Sequence, residues 1–211
     1  MNCYRVTMTR AAAAAATKEK VLAAARELFI TSGYDDVKAA DVARAAGVAH
    51  GLVFHYFGSK QGLYGEVLCA IGREVLELHV VDPAVPLGQR IRRSHKAHLT
   101  YLAAHRDLAL NLVLRPWGAE DSFDRVRDDG NRALCENLGL DFERPAVKAV
   151  LRMYTTAADQ LARDHLLSEH PFDVDQVVDM LMTVLAGALR AARVADPSLE
   201  VERTLDELAR P

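Results

Sequence analysis

The chain has 211 residues, 50% hydrophobic and 26% charged, enough apolar material for one good core or a core with a small satellite, and too much for a disordered chain. No apolar run approaches the roughly 18–20 residues needed to span a bilayer. The three cysteines, Cys3, Cys69 and Cys135, are too scattered for a disulfide framework or a zinc site, so a cytoplasmic protein without a membrane segment, metal or cofactor is expected. The opening MNCYRVTMTR has charge but no apolar segment behind it, which argues against a secretory signal; Met1 and Met8 are both possible starts. Net charge is −3, but residues 1–60 hold eight basic and five acidic side chains, whereas the rest hold 18 and 24. A basic N-terminal portion on an acidic body points any polyanion to the N-terminal end.

The elements read as helices throughout, and no strand alternation stands out. TKEKVLAAARELFIT (17–31) puts Val21, Leu22, Ala25, Leu28 and Phe29 on one face, with Thr17 as N-cap and Gly33 as the stop. The alanine run before it either extends this helix or stays a frayed arm. A short helix follows over 39–46, then a tight turn at Gly47-Val48, then a third helix over about 49–56. Ser59 can cap a longer fourth helix over about 60–80, whose stripe is Leu63, Val67, Leu68, Ile71, Val75 and Leu78. VDPAVPLG (81–88) is the clearest break. Beyond it, longer helices are expected over about 87–103, 106–115, 121–138, 144–168 and 174–194, the last capped by Asp173, with a short amphipathic tail near 199–209.

Two short helices joined by a glycine turn and packed on a longer first helix make a helix-turn-helix unit, in which the second short helix enters the major groove of DNA. That helix is AHGLVFHY (about 49–56). Val48, Val53 and Phe57 suit a small core, and Phe54 is also expected to be buried. His50, Gly51, Leu52, His55 and Tyr56 are left for the groove side.

Residues 28–68, LFITSGYDDVKAADVARAAGVAHGLVFHYFGSKQGLYGEVL, resemble the N-terminal domain of the TetR family of transcriptional regulators. The likeness runs through Leu28-Phe29, Gly33-Tyr34, Val42-Ala43, Ala46-Gly47-Val48, Gly51, Tyr56-Phe57 and Ser59-Lys60 to Leu63. The resemblance implies an all-α protein: an N-terminal arm (1–16), a three-helix DNA-binding domain (17–60), and a larger ligand-binding and dimerisation domain (61–211). It implies double-stranded DNA as partner, with His50 and Leu52 facing bases, Gly51 permitting close backbone approach, and His55, Tyr56 and Lys60 reaching phosphates. Helix N-termini and lysines favour anions, and phosphate contacts set register while base contacts specify. The sequence departs from the family pattern at Phe54, where tyrosine is usual, and at Ala49 and Val37-Lys38, where the caps are missing. A lost cap costs about 1 kcal/mol; Lys38 can compensate by meeting a phosphate.

By the same resemblance the last two long helices pair with their copies in a homodimer. Val177, Val178, Leu181, Leu185 and Leu189 are the expected interface, since the final long helix has an apolar surface broad enough for an inner and an outer contact. A small-molecule effector would sit among the middle helices. His95, His98, Leu99, Leu102, Leu112, Trp117, Met153 and Tyr154 are its expected lining, with Asp159 as a buried acceptor and an apolar ligand bearing one or two polar handles as occupant. His95 and His98 at i, i+3 could share a metal, but no third ligand motif supports it; a basic face shared with Arg92, Arg93 and Lys96 is the alternative. Neither a nucleophile–base pair nor a phosphate loop points to an enzyme. The favoured function is a homodimeric repressor on a palindromic operator, released by ligand. A helical dimer acting through other proteins is the second alternative.

Overall fold

The computed structural model describes residues 3–77, 82, 84–113, 120–167 and 172–210, and all regular structure among them is helical. The helices are α1 (Cys3–Asp36), α2 (Ala39–Ala46), α3 (His50–Phe57), α4 (Lys60–Glu77), α5 (Leu87–Ala104), α6 (Arg106–Leu108, continuing as a π-helical stretch Ala109–Val113), α7 (Glu120–Leu138), α8 (Pro145–Leu167), α9 (Val174–Ala195) and α10 (Glu202–Ala209). No described helix is long and apolar enough to cross a membrane. The expected stripe residue Leu78 and residues Pro116, Trp117 and Gly118 lie outside the described residues.

Thr17 is not a cap. Alanine is the best helix former, so α1 runs back through the alanine stretch, and the Thr17 hydroxyl donates to the Ala13 carbonyl at 2.8 Å as interior threonines do. The helix does break at Gly33, whose φ of 76° and ψ of 173° no helix contains. Asp173 caps α9 as its sequence suggests: its carboxylate accepts from the Gln176 N–H at 2.8 Å, and Gln176 Oε1 accepts from the Asp173 N–H at 3.0 Å.

Two apolar cores result. The first gathers Val21, Ala25 and Phe29 of α1, Val42 and Ala43 of α2, Val53 and Phe57 of α3, and the inner face of α4 as far as Val75, with Leu108 beneath. The second lies between α5, α7, α8, α9 and α10. Tyr101 packs against both. The first core therefore does not stop at residue 60: α4 starts at the helix-turn-helix and ends against the body. Further ties cross the same junction. Arg26 of α1 grips both carboxylate oxygens of Glu74 on α4, one at 2.8 Å, and the Tyr101 hydroxyl donates to Glu74 at 3.4 Å. Asn111 Nδ2 donates to the Ile30 carbonyl at 2.7 Å.

The five residues expected at a dimer interface are inside this chain's own core. Val177, Val178, Leu181, Leu185 and Leu189 each keep 4% or less of their surface. The broad apolar band of α9 is covered by α8, α5 and α10, all of which contact it. The exposed surface of α8 and α9 carries other residues: Val194 is 85% exposed, Met153 of α8 is 56% exposed, and a side chain at Gly187 would meet nothing within 4 Å.

Candidate DNA-binding helix and effector cavity

The geometry of α3 follows from two glycines and one serine. Gly47 takes the left-handed conformation (φ 65°, ψ 36°) that ends α2, its N–H returning to the Ala43 and Arg44 carbonyls. Gly58, also at positive φ (71°), ends α3. Ser59 Oγ then accepts from the Gly62 N–H at 3.0 Å and starts α4. Gly62 is forced by space, since a Cβ there would stand 2.2 Å from the Phe57 carbonyl oxygen. Neither Ala49 nor Lys38 caps with its side chain. The Asp41 carboxylate instead accepts from the Lys38 N–H at 3.3 Å, leaving the Lys38 ammonium exposed.

Two turns of helix have room for one inner row, and Val53 and Phe57, at i and i+4, fill it. Phe54, expected in the core, is 41% exposed, because one residue on from Val53 lies about 100° round the helix. Its ring meets the His50 ring edge-on at 5.1 Å. His50, Gly51 and His55 are exposed and Leu52 and Tyr56 half-buried, so the outer face of α3 carries His50, Gly51, Phe54 and His55 together. Lys60 stands beside it, its Nζ 4.2 Å from the centroid of Tyr34 and 3.5 Å from the Asp35 carbonyl. Gly51 has ordinary helical surroundings, and an added Cβ would touch nothing within 4 Å. Glycine inside a helix costs about 1 kcal/mol relative to alanine, so nothing in the described fold accounts for this one.

Further along α4, a cavity of about 470 Å³ opens between α4, α5, α7 and α8, within the roughly 300–1,000 Å³ of small-molecule sites. Leu68, Ile71 and Val75 of α4 form one wall, with Leu99 and Leu134 opposite. At Gly72 the α4 backbone comes so near α7 that a Cβ would stand 2.5 Å from Val126 Cγ1. Of the expected lining, His95, His98, Leu99 and Tyr154 reach the cavity, as does Asp159. The reading of His95 and His98 as a solvated basic face fails: the Tyr154 hydroxyl lies 2.6 Å from His95 Nε2, whereas Arg92 and Lys96 pair with Asp179 and Asp175 of α9. No cluster of three or more metal-ligating side chains occurs among the described residues. Leu102 is core with no exposed surface, and Met153 faces outward because the inner row of α8 runs through Val150, Leu151 and Tyr154. The side chains of Leu112 and Trp117 lie outside the described residues.

The cavity's polar end was missed from the sequence, apart from Asp159. Arg127 of α7 pairs with Asp159 of α8. Burial pushes the Asp159 carboxyl up to about 6 against the opposing pull of Arg127, and burial also raises the Tyr154 phenol. Asn131, one turn beyond Arg127, accepts from the Thr155 hydroxyl at 2.7 Å. Arg90 Nη1 donates to Asn137 Oδ1 at 3.2 Å. The i, i+4 spacing of Arg127 and Asn131, continued by Leu134 on the inward side, was the available signal; in the strongly charged stretch EDSFDRVRDDGNR it reads as a solvated face.

The comparisons with known proteins agree with this arrangement. Residues 21–67 match the model of the family described as bacterial regulatory proteins, tetR family. Over 176 residues, 83% of this chain and 78% of the relative, the sequence is 26% identical to the HTH-type transcriptional repressor BdcR of Escherichia coli (strain K12). A tetR-family transcriptional regulator from Streptomyces coelicolor shares the fold with a TM-score of 0.67 at 19% identity, covering 91% of this chain and 87% of that one. The transcriptional regulator FadR from Bacillus subtilis, solved in complex with stearoyl-CoA, aligns with a TM-score of 0.58 at 18% identity, over 79% of this chain and 96% of that one.

Proposed function

We propose that the chain, whose residues 21–67 match the tetR family of bacterial regulatory proteins and which is 26% identical over 176 residues to a transcriptional repressor, is a regulator of transcription and not an enzyme: a cytoplasmic, homodimeric repressor of a palindromic operator, released by a small and largely apolar ligand. The observation that carries the DNA-binding half is Gly51. It weakens a two-turn helix, has no packing reason to be glycine, and sits among His50, Phe54 and His55 on an exposed face; close approach of another molecule's backbone is the use left for it. Lys38, Leu52, Tyr56 and Lys60 flank that face. Phosphate capture by Lys38 and Lys60 would set register, and His50 and Leu52 would read bases.

The ligand half is supported by α4. One helix begins at Lys60 beside α3 and supplies a wall of the cavity through Leu68, Ile71 and Val75. A ligand that prefers a cavity widened between α4 and α7 moves that helix, and it releases DNA only by its differential affinity for the two arrangements. For the dimer, the outward faces of α8 and α9 replace the buried set: Met153, Gly187 and Val194 are the residues free to meet a second copy. Two α3 helices related by a two-fold axis would meet successive major grooves.

The test is binding of the purified protein to its own upstream intergenic DNA at two salt concentrations, against unrelated DNA. Selective, salt-sensitive binding that is lost in Tyr56→Ala/Lys60→Ala is the expected result. Equal, weak binding to all DNA, persisting after ligand stripping and a genome-wide site selection, would overturn the reading.

A further inference from the structure

We infer that the cavity takes a carboxylate-headed amphiphile, its apolar tail along α4 and its carboxylate among Asn131, Arg90 and Arg127. The inference rests on the reading of this cavity as the effector site.

The tail end is supplied by the aliphatic wall of Leu68, Ile71, Val75, Leu99 and Leu134. The head end is decided by what its polar atoms lack. Asn131 keeps 3% of its surface and lines the cavity. Its oxygen is occupied by Thr155, while Nδ2 has no acceptor among the described residues. Arg90, on the same cavity, has a buried Nε–H with no acceptor either. Buried polar groups are almost always paired, and leaving one unpaired costs the full desolvation of that group. Both orphans are donors, so a ligand group that meets either of them must accept. A hydroxyl or carbonyl can do so, but an ammonium cannot.

Charge selects within the acceptors. The polar lining holds two guanidinium groups, Arg90 and Arg127, against one buried carboxylate, Asp159; Glu136 also lines the cavity but is exposed. His95, His98 and Tyr154 complete the titratable lining. One added negative charge balances the two guanidiniums, and a carboxylate offers its two oxygens to guanidinium and amide donors at once. The raised Asp159 carboxyl eases the approach of a second carboxylate, because it gives up its charge more readily than an ordinary aspartate.

The experiment compares decanoate, decanol and decylamine by isothermal titration calorimetry on the full-length protein without DNA, at concentrations below micelle formation. Decanoate is expected to bind at least about tenfold tighter than either of the others. Asn131→Leu should weaken decanoate several-fold more than decanol and so collapse the preference between them, and circular dichroism reports whether the variant, which also loses the hydrogen bond from Thr155, keeps its helices. Should that variant not fold, Arg90→Met must produce the same collapse of preference. Decanol or decylamine binding as tightly as decanoate, no binding of any of the three, or an undiminished preference in the variants would each overturn the inference. Because no DNA is present, failure here leaves operator binding standing, and failure of operator binding leaves this result standing.

Discussion

Asp159→Asn isolates the electrostatics of the cavity. The Asp159 carboxyl titrates at about 6 in the folded chain against an ordinary 3.8, with burial as the first cause and Arg127 opposing it. The folded state thus holds a proton that the unfolded state has already released. Between about pH 4 and pH 6, native protein binds more protons than unfolded protein, so stability contributed by this group is fully present below pH 4 and is lost as pH rises through 6. Two units at 1.36 kcal/mol each set a ceiling of about 3 kcal/mol for the loss. Glu74 and Asp128 run the other way: hydrogen bonds from Arg26 and Arg152 hold both carboxyls low, and their contribution is lost on acidification. The wild-type profile mixes these slopes, so the readout is the difference between the two proteins. Urea unfolding at half-unit steps from pH 4 to 7 should show Asp159→Asn gaining on wild type by up to about 3 kcal/mol across the window, whatever fixed offset the lost ion pair imposes. Parallel curves would refute the argument and mean that Arg127 keeps the carboxylate ionised throughout.

The other predictions concern α3, its turn and the partner face. Gly51→Ala should stabilise the protein by up to about 1 kcal/mol and yet weaken operator binding, measured by thermal melting beside a gel-shift titration; unchanged DNA affinity would remove the reason offered for that glycine. Gly62→Ala, by contrast, should lower the melting temperature despite the same propensity gain, because its Cβ would stand 2.2 Å from a backbone oxygen; a higher melting temperature would contradict the steric account. Lys60→Ala should weaken binding evenly across operator variants and make the slope of log K against log salt shallower by about 2 per dimer, at roughly 0.9 for each lost phosphate contact. Val194→Asp should shift the protein towards monomer in sedimentation velocity without changing its helicity, and an undisturbed dimer would exclude this face.

The order of the helices, the breaks at Gly33 and Gly47, and the caps at Ser59 and Asp173 were legible in the sequence, because each depends on residues within one turn of one another. So were Val53 and Phe57 as the inner pair of α3, and His50, Gly51 and His55 as its outer face. Phe54 was misread for a local reason: hydrophobicity alone does not tell which side of a two-turn helix a residue occupies, and only the packing of α3 on α1 and α4 decides it. The α9 band went astray because a helix whose apolar band is covered by its own chain has the same pattern as one that shares that band with a copy. Composition cannot separate them; the positions of α5, α8 and α10 do. The polar end of the cavity needed the tertiary structure most. Arg127, Asn131 and Arg90 look like solvated polar residues in sequence, and only when α5, α7 and α8 close around them do they come to line one cavity. Local chemistry thus determined where the helices start, stop and expose a face, while the burial of charged and amide groups was decided by contacts between segments far apart in the chain.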